Sequence, residues 1–122
     1  MTKKNLLYVD DEPINLQLFK FNFRQHYNLF LAQSAMEGLE ILQKEEISIV
    51  ISDFKMPEMN GLDFFTEIKK SKPHTPCILL SAYLETEIRD MSIDVGLVDC
   101  FIAKPWKRED VLGIISKYVE KV

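Results

Sequence analysis

The chain lacks long apolar runs and is poor in cysteine, histidine and tryptophan. In 122 residues there are two cysteines, two histidines and one tryptophan. No apolar run approaches the ~20 residues of a membrane-spanning helix, and the apolar stretch after Lys3-Lys4 is too short for a secretory signal. Cys77 and Cys100 lie in strand-like segments without metal-ligand spacing, so we expect small buried hydrophobic residues and a reducing, cytoplasmic setting.

The sequence also lacks an excess of positive charge. It contains 19 acidic and 15 basic residues, giving a net charge of -4, so direct binding to nucleic acid or to an anionic membrane is not expected. Hydrophobic residues make up 47% of the chain, which suffices for one core, but the length is too short for two. We predict a single domain over residues 1–122, with no linker or output domain within this sequence.

Glycine is scarce, and its positions exclude the common phosphate-binding loops. The four glycines fit neither a P-loop nor the G-x-G-x-x-G pattern of dinucleotide-binding proteins. A flavin- or nucleotide-binding module that holds phosphate through a glycine loop is therefore not expected.

Strand-like and helix-like apolar patterns alternate along the whole chain. Strands are predicted at Asn5–Val9, Asn28–Ala32, Ile47–Asp53, Cys77–Ser81 and Val98–Ala103. Predicted helices follow them at about Pro13–Gln25, after the capping box Ser34–Glu37, around Leu62–Ile68, at about Leu84–Val95, and finally with Val111, Ile115 and Tyr118 inward. The first helix should present a broad buried face formed by Ile14, Leu18, Phe19, Phe21 and Phe23. Trp106 is expected to cover the start of the last helix.

Five strand–helix units predict an α/β fold, a doubly wound five-stranded parallel sheet with five helices on both faces. Five strands are consistent with the flavodoxin-like order 2-1-3-4-5, in which strands 1 and 3 flank the point where the winding direction reverses. Ligands of such sheets bind at the carboxyl ends of the strands. Asp10, Asp11 and Asp53 would therefore converge there.

Three neighbouring carboxylates repel one another unless a cation or a proton neutralises part of their charge. A hard divalent ion such as Mg²⁺ suits them, because it prefers oxygen ligands and commonly bridges carboxylates to a phosphoryl group. Asp53 could then attack phosphorus to give an aspartyl phosphate, a step that needs charge stabilisation by a cation and by hydrogen-bond donors. Lys104 and Ser81, at the ends of other strands, could supply both.

Several short motifs occur in order at the ends of successive predicted strands. They are Asp10-Asp11, Asp53 with Met56-Pro57 and Gly61, Ser81-Ala82, and Lys104-Pro105. Together they resemble the receiver domain of two-component response regulators over essentially the whole chain. The resemblance implies a signalling switch, rather than an enzyme, in which Asp53 accepts a phosphoryl group from the phosphohistidine of a sensor kinase or phosphotransfer protein.

The same resemblance implies specific roles for the residues around the acceptor. Asp11, Asp53 and the Lys55 backbone carbonyl would bind Mg²⁺, with Mn²⁺ as an alternative, and Asp10 would hold a metal-bound water. Lys104 would pair with the phosphoryl group, and Ser81 would move to hydrogen-bond it. The Lys104-Pro105 peptide bond is expected to be cis.

Phosphorylation would be reported by Phe101, at the aromatic switch position, through the face built from the fourth predicted helix, the fifth strand and the fifth predicted helix. The family often has Thr at the position of Ser81 and Tyr at the position of Phe101. Ser81 keeps a hydroxyl donor, whereas Phe101 keeps the ring but lacks the hydroxyl hydrogen bond. The resemblance also places Lys55 and Tyr83 at the two variable positions that, in the family, influence access of hydrolytic water to the phosphoryl group. Because both are bulky, we predict a long-lived phosphorylated state.

Two other functions remain open from the residues alone. One is a Mg²⁺-dependent phosphohydrolase with an aspartyl nucleophile, similar to the haloacid dehalogenase family, but its motif needs a second Asp where Lys55 stands. The other is a degenerate receiver that acts only in protein interaction, although the acidic residues and Lys104 are intact. Phosphorylation-linked dimerisation, the cognate kinase and the output partner are not fixed by any residue pattern.

Overall fold

Parallel strands alternate with helices in this computed structural model, which describes residues 3–82 and 95–119. The strands are β1 (Asn5–Val9), β2 (Asn28–Ala32), β3 (Ile49–Asp53), β4 (Cys77–Ser81) and β5 (Cys100–Ala103). The helices are α1 (Pro13–Phe23), α2 (Ala35–Lys44), α3 (Gly61–Ser71) and the C-terminal helix (Arg108–Val119), with a 3-10 turn at Val95–Leu97. The fourth predicted helix, Leu84–Val95, falls outside the described residues except for Val95. Among the described helices, none is long and apolar enough to cross a membrane.

The five strands form one parallel sheet in the order β2-β1-β3-β4-β5. The predicted order 2-1-3-4-5 is therefore confirmed. β3 lies at the centre and every one of its residues is buried, as an apolar strand covered on both faces requires. β3 and β5 each begin two residues later than predicted, at Ile49 and Cys100.

Helices cover both faces of the sheet and create two apolar cores. On one face, Leu62 and Phe65 of α3 and Leu42 of α2 pack against Leu7 and Val50. On the other, α1 and the C-terminal helix pack Phe19, Phe23, Val111 and Ile115 against Leu6, Ile51 and Ile78. The prediction of a doubly wound fold is confirmed, with four α-helices in the described part of the chain.

The predicted buried face of α1 is partly wrong. Ile14, Leu18 and Phe21 are 72%, 51% and 74% exposed, whereas Leu16, Phe19 and Phe23 are buried. A surface helix can turn only one stripe toward the sheet, and the side carrying Phe19 and Phe23 packs there. We call Ile14, Leu18 and Phe21 the outer row of α1.

The ends of the helices follow from specific hydrogen bonds. The Ser34 hydroxyl accepts from the Glu37 amide at 3.1 Å, and the Glu37 carboxylate accepts from the Gln33 amide at 2.9 Å. The predicted capping box is thus present, although its return bond reaches one residue before the cap. In the C-terminal helix, Tyr118 is only half-buried, because its hydroxyl turns to donate to the Asp99 carbonyl at 2.8 Å.

The two cysteines are free thiols in different surroundings. Cys77 is completely buried in the core beneath α2 and α3, and this burial raises the pKa of its thiol to about 12. Cys100 is half-buried and packs against the core on the opposite face of the sheet. Cys77 therefore behaves as the small buried hydrophobic residue that was predicted.

The loop from β3 to α3 brings two backbone segments into close contact. The Gly61 amide donates to the Phe54 carbonyl at 2.8 Å. A Cβ atom at Gly61 would lie 2.6 Å from both the Asp53 carbonyl oxygen and the Leu79 Cδ1 atom. Since the clash at Asp53 is with backbone, no side-chain rotation could relieve it. Gly61 thus permits α3 to begin directly against the end of β3.

Replacing Gly61 with alanine should destabilise the fold by about 1–3 kcal/mol, the usual cost of forcing extra atoms into a packed interior. Gly113→Ala is the matched control, because a Cβ atom there meets nothing within 4 Å. In the exposed face of the C-terminal helix it should stabilise by about 0.5–1 kcal/mol. Urea unfolding of both variants measures the two changes, and equal effects would contradict the close approach at Gly61.

Candidate functional site

Acidic and basic side chains meet where the central strands end. Asp10 follows β1, Asp53 and Ser81 end β3 and β4, and Lys104 follows β5. Carboxylate oxygens of Asp10, Asp11 and Asp53 all lie within 4.8 Å of one another. We call these three residues the acidic cluster. The parallel sheet thus collects residues far apart in sequence at one edge, as predicted.

The acidic cluster opens on a cleft with a volume of about 640 Å³. Its lining residues are Asp11, Glu12, Asn15, Asp53, Phe54, Lys55, Met56, Pro57, Ser81, Ala82 and Lys104. Asp53 is only 8% exposed, while Lys55 is an exposed residue at the rim. A small anion such as phosphate can therefore reach the carboxylate of Asp53 through this cleft, which we call the acceptor cleft.

Lys104 is the cation that faces the acidic cluster. Its Nζ atom lies 2.6 Å from the Asp53 Oδ1 atom, and the two side chains are 28% and 11% exposed. The lysine is placed by backbone contacts, because its amide donates to the Ser81 carbonyl at 3.0 Å. The peptide bond from Lys104 to Pro105 is cis, as expected. The end of β5 and the end of β4 are thus joined beside Asp53.

The surroundings of Asp53 raise the pKa of its carboxyl. Burial raises the pKa of its carboxyl above the usual value of 3.8, and the charges of Asp10 and Asp11 add to this rise. The hydrogen bond and charge of Lys104 lower the pKa but do not cancel the rise. A single lysine therefore leaves the acidic cluster with an excess of negative charge that a further cation would relieve.

Asp10 is completely buried and accepts three hydrogen bonds. Its Oδ2 atom accepts from the Tyr8 hydroxyl at 2.7 Å and from the Asn15 amide group at 3.1 Å, and Oδ1 accepts from the Glu12 amide at 3.0 Å. Burial and the Asp10 charge raise the pKa of Tyr8, so its phenol stays protonated and donates. Neither Tyr8 nor Asn15 was predicted. The available signal was that Tyr8 points to the same side of β1 as Asp10, two residues away.

An aromatic stack extends from Tyr8 to the residue after the cis proline. Tyr8 lies flat on Phe19, with ring centroids 4.0 Å apart and planes at 9°. Phe19 contacts Phe23 at 4.5 Å, and Trp106 packs on Phe23 at 5.5 Å and on Phe19 at 6.2 Å. Trp106 thus contacts the buried side of α1. The sequence predicted only that Trp106 covers the start of the last helix, not this contact with α1.

The two residues predicted to form a switch lie on one face of the sheet. Phe101 pairs with Leu79 across β4 and β5 and is half-buried against the core beneath α3. Ser81 is two residues after Leu79 and therefore points to the same face. It is 2% exposed and lines the acceptor cleft. Tyr83, one of the two residues predicted to tune hydrolysis, lies outside the described residues.

A second groove, of about 690 Å³, adjoins the acceptor cleft on the α1 side. Asn15, Ala82 and Lys104 border both spaces, and Leu18 and Trp106 form apolar parts of the second one. Leu18 also belongs to the outer row of α1. This groove therefore connects the exposed side of α1, at Leu18, with the rim of the acceptor cleft.

The donor set of the acidic cluster suits a hard divalent cation. It offers carboxylate oxygens and contains neither thiol nor imidazole, which favours Mg²⁺ over softer ions such as zinc. Two of the three carboxylates, Asp11 and Asp53, also line the open cleft. A cation bound there would remain accessible to a phosphoryl group.

The sheet order and the acidic cluster at its carboxyl edge define a flavodoxin-like domain with a candidate site for a cation and a phosphoryl group. The chain belongs to the response regulator receiver domain family, whose model matches residues 6–116. Domains of this family are phosphorylation-dependent signalling switches that interact with histidine kinases or phosphotransfer proteins, and this chain is such a switch.

Relatives include both long and short proteins. The chain is 33% identical to the transcriptional regulatory protein GlrR of Escherichia coli, over 96% of this chain but 26% of that protein. It is 28% identical to sporulation initiation phosphotransferase F of Bacillus subtilis, over 98% of this chain and 96% of that protein. The chain therefore spans about a quarter of one relative and nearly all of the other.

A solved structure gives the same result for the fold. The response regulator protein TrrA of Thermotoga maritima, in complex with Mg²⁺ and beryllium fluoride, has a TM-score of 0.84 and 29% identity. The match covers 94% of this chain and 98% of that one. Mg²⁺ binding is thus found in a structural relative.

The raised pKa of Asp53 predicts how stability depends on pH without divalent cations. Asp53 keeps its proton to a higher pH in the folded protein than in the unfolded chain. Its ionisation therefore lowers the free energy of unfolding as pH rises from about 4 through the folded pKa. The side chain introduced by Asp53→Asn cannot ionise, so the stability of this variant relative to the wild type should increase as pH rises from about 4 through the folded pKa.

Urea unfolding in chelating buffer measures this difference at each pH. Glu40→Gln, an exposed position on α2, is the control for removing one negative charge. A stability difference for Asp53→Asn that stayed constant across this range would show that the buried acidic cluster does not raise the pKa of Asp53.

Proposed function

We propose that residues 1–122 form one phosphoacceptor domain in which Asp53 receives a phosphoryl group from the phosphohistidine of a sensor kinase or phosphotransfer protein. The observation that carries this proposal is the surrounding of Asp53. Its carboxylate opens on the acceptor cleft, lies 2.6 Å from the Lys104 Nζ atom and belongs to the acidic cluster. We place this exchange in the cytoplasm, where such kinases present their phosphohistidine.

The transfer itself needs few protein groups. An Asp53 carboxylate oxygen attacks the phosphorus atom, the bond from phosphorus to the imidazole nitrogen breaks, and the neutral histidine leaves after gaining a proton. Lys104 then pairs with the phosphoryl oxygens in place of the Asp53 carboxylate. The Ser81 hydroxyl, buried at the end of β4, supplies a hydrogen bond to the same group. Preorganised charges of this kind stabilise phosphoryl transfer.

Mg²⁺ fits the proposal, with Mn²⁺ as an alternative. Asp11, Asp53 and the Lys55 backbone carbonyl would hold the ion, and Asp10 would reach it through a water molecule. When bound, the ion offsets the negative charge of the acidic cluster and of the incoming phosphoryl group. The support in this chain is the oxygen-only donor set and its excess of negative charge.

Incubation with acetyl phosphate and Mg²⁺ should add one phosphoryl group per chain, measured by intact mass. Asp53→Asn should abolish the addition, because the nucleophilic oxygen is lost. The matched control is Asp63→Asn, which removes an exposed carboxylate from the first turn of α3 and should leave the addition unchanged. An unmodified wild-type mass with every phosphoryl donor would contradict the acceptor role. Sustained release of phosphate from many esters would favour a hydrolase instead.

Phosphorylation is proposed to act on Ser81 and Phe101 together. Movement of Ser81 toward the phosphoryl group frees space on the face of the sheet that Phe101 also occupies, and Phe101 then turns inward. Since Phe101 has no hydroxyl, its two positions differ in packing alone. The altered surface would comprise β5, the C-terminal helix and the fourth predicted helix. Phosphorylation-linked dimerisation through this surface stays a prediction, as does an unidentified output domain or protein without direct nucleic-acid binding.

The chain is proposed to assist its own phosphorylation and dephosphorylation without acting as an enzyme on other substrates. Lys55 stands where an aspartyl phosphohydrolase needs a second acid, and its exposed side chain borders the acceptor cleft. A lysine there cannot act as a carboxylic general acid. With Tyr83, it would restrict hydrolytic water, so a long-lived phosphorylated state remains the prediction.

The protein donor is proposed to pack against the outer row of α1. These side chains are exposed and apolar, and Leu18 also borders the groove beside the acceptor cleft. A donor that carries phosphohistidine to Asp53 must cover this rim. Buried apolar contacts contribute most of the binding energy when they lie near the centre of an interface.

Phe21→Ser should therefore slow phosphoryl transfer about tenfold from a phosphorylated histidine kinase selected because it modifies the wild type rapidly. The rate with acetyl phosphate should not change, since this small donor does not contact α1. Met36→Ser is the matched control, because Met36 is also large, apolar and 57% exposed but lies on α2. Equal slowing by both variants, or slowing with acetyl phosphate, would contradict docking on α1.

A further inference from the structure

The three hydrogen bonds that Asp10 accepts come from donors in different parts of the fold. The Glu12 amide belongs to the chain that follows β1, and the Asn15 side chain is half-buried at the start of α1. The Tyr8 hydroxyl donates the shortest of the three bonds, at 2.7 Å to Oδ2, from inside the core. Tyr8 therefore supplies the most sheltered contact to the one completely buried member of the acidic cluster.

The position of the Tyr8 hydroxyl is fixed by packing. Tyr8 is 1% exposed and lies in the central strand pair of β1 and β3. Its ring is stacked on Phe19 at 4.0 Å, and Phe19 is itself held by Phe23 at 4.5 Å. Close-packed rings of this kind allow little displacement. The hydroxyl thus acts as a rigid donor aimed at Asp10.

We propose that Tyr8 is a positioning residue for the acidic cluster, holding the Asp10 carboxylate in the orientation that serves Mg²⁺ binding. This inference rests on the proposed function, in which Asp10 reaches the ion through water. Tyr8 does not line the acceptor cleft, and its hydroxyl donates to Asp10, so its hydrogen bond to the acidic cluster is made through Asp10.

The physical reason lies in the repulsion within the acidic cluster. Its three carboxylates have oxygen atoms within 4.8 Å, so Asp10 is pushed away from Asp11 and Asp53 whenever no cation is bound. The hydrogen bond from Tyr8 opposes a rotation of the Asp10 carboxylate away from the other two before the ion binds. Hydrogen bonds to groups around a metal commonly contribute 10–100-fold to its affinity. Because Asp10 would act through water, we expect the lower end, about tenfold.

Isothermal titration of Mg²⁺ into the wild type and Tyr8→Phe tests the inference directly. The variant keeps the ring and its stack on Phe19 and loses only the hydroxyl, so its Kd should rise about tenfold. The matched control is Tyr118→Phe, which removes a hydroxyl that donates to the Asp99 carbonyl at 2.8 Å. Asp99 directly precedes β5, at the opposite edge of the sheet from the acidic cluster. This control should leave the Kd for Mg²⁺ unchanged.

A double-mutant cycle separates positioning from a general loss of stability. In the Asp10→Asn background, Tyr8→Phe should cause no further tenfold loss, because the carboxylate on which it acts is gone. A loss of the same size in both backgrounds would overturn the inference. Equal Mg²⁺ Kd values for Tyr8→Phe and the wild type would overturn it as well. A wild type that binds no Mg²⁺ would instead overturn the proposed metal site, and this inference with it.

A measurement with Tyr8 in place keeps the test valid even if Tyr8→Phe does not fold. The ¹³Cζ resonance of Tyr8 reports the hydrogen bond of its hydroxyl, so in the Mg²⁺-free protein it should already differ from that of a phenol exposed to water, and Asp10→Asn should shift it while leaving Tyr118 unchanged. A Tyr8 resonance that does not respond to Asp10→Asn would overturn the inference.

Discussion

The concentration of negative charge at one edge of the sheet is the constraint on which the site depends. Three carboxylates lie within 4.8 Å of one another, and two of them are buried. Lys104 offsets part of this charge through its 2.6 Å contact with Asp53, yet the pKa of Asp53 remains raised. The folded chain therefore holds a group of charges that a further cation would stabilise.

The sheet makes this arrangement possible because parallel strands deliver their carboxyl ends to one edge. Asp10, Asp53, Ser81 and Lys104 are separated by long stretches of sequence, and each lies at or directly after the carboxyl end of a strand. Gly61 adds a second condition, since it lets α3 start against the backbone of Asp53. The strands thus hold the mutually repelling carboxylates close together, while the loops leave the acceptor cleft open.

The strand ends could be predicted from sequence because a short apolar run that stops at a polar residue fixes both the strand and its exit. The packing of α1 could not. Its helix is apolar on two rows, and periodicity does not say whether Phe19 and Phe23 or Ile14, Leu18 and Phe21 meet the sheet. The support of Asp10 by Tyr8 was missed for a related reason: an aromatic residue in a strand indicates core, and only the register of α1 brings Phe19 beneath its ring.

Both unpredicted features involve α1, and this links site geometry to partner recognition. The buried row of the helix holds Tyr8 and, through it, Asp10. The outer row is exposed beside the groove that borders the acceptor cleft. A donor that presses on the outer row therefore contacts the same short helix whose other side fixes a member of the acidic cluster. One 11-residue helix thus carries both the packing that fixes Tyr8 and the exposed apolar row beside that groove.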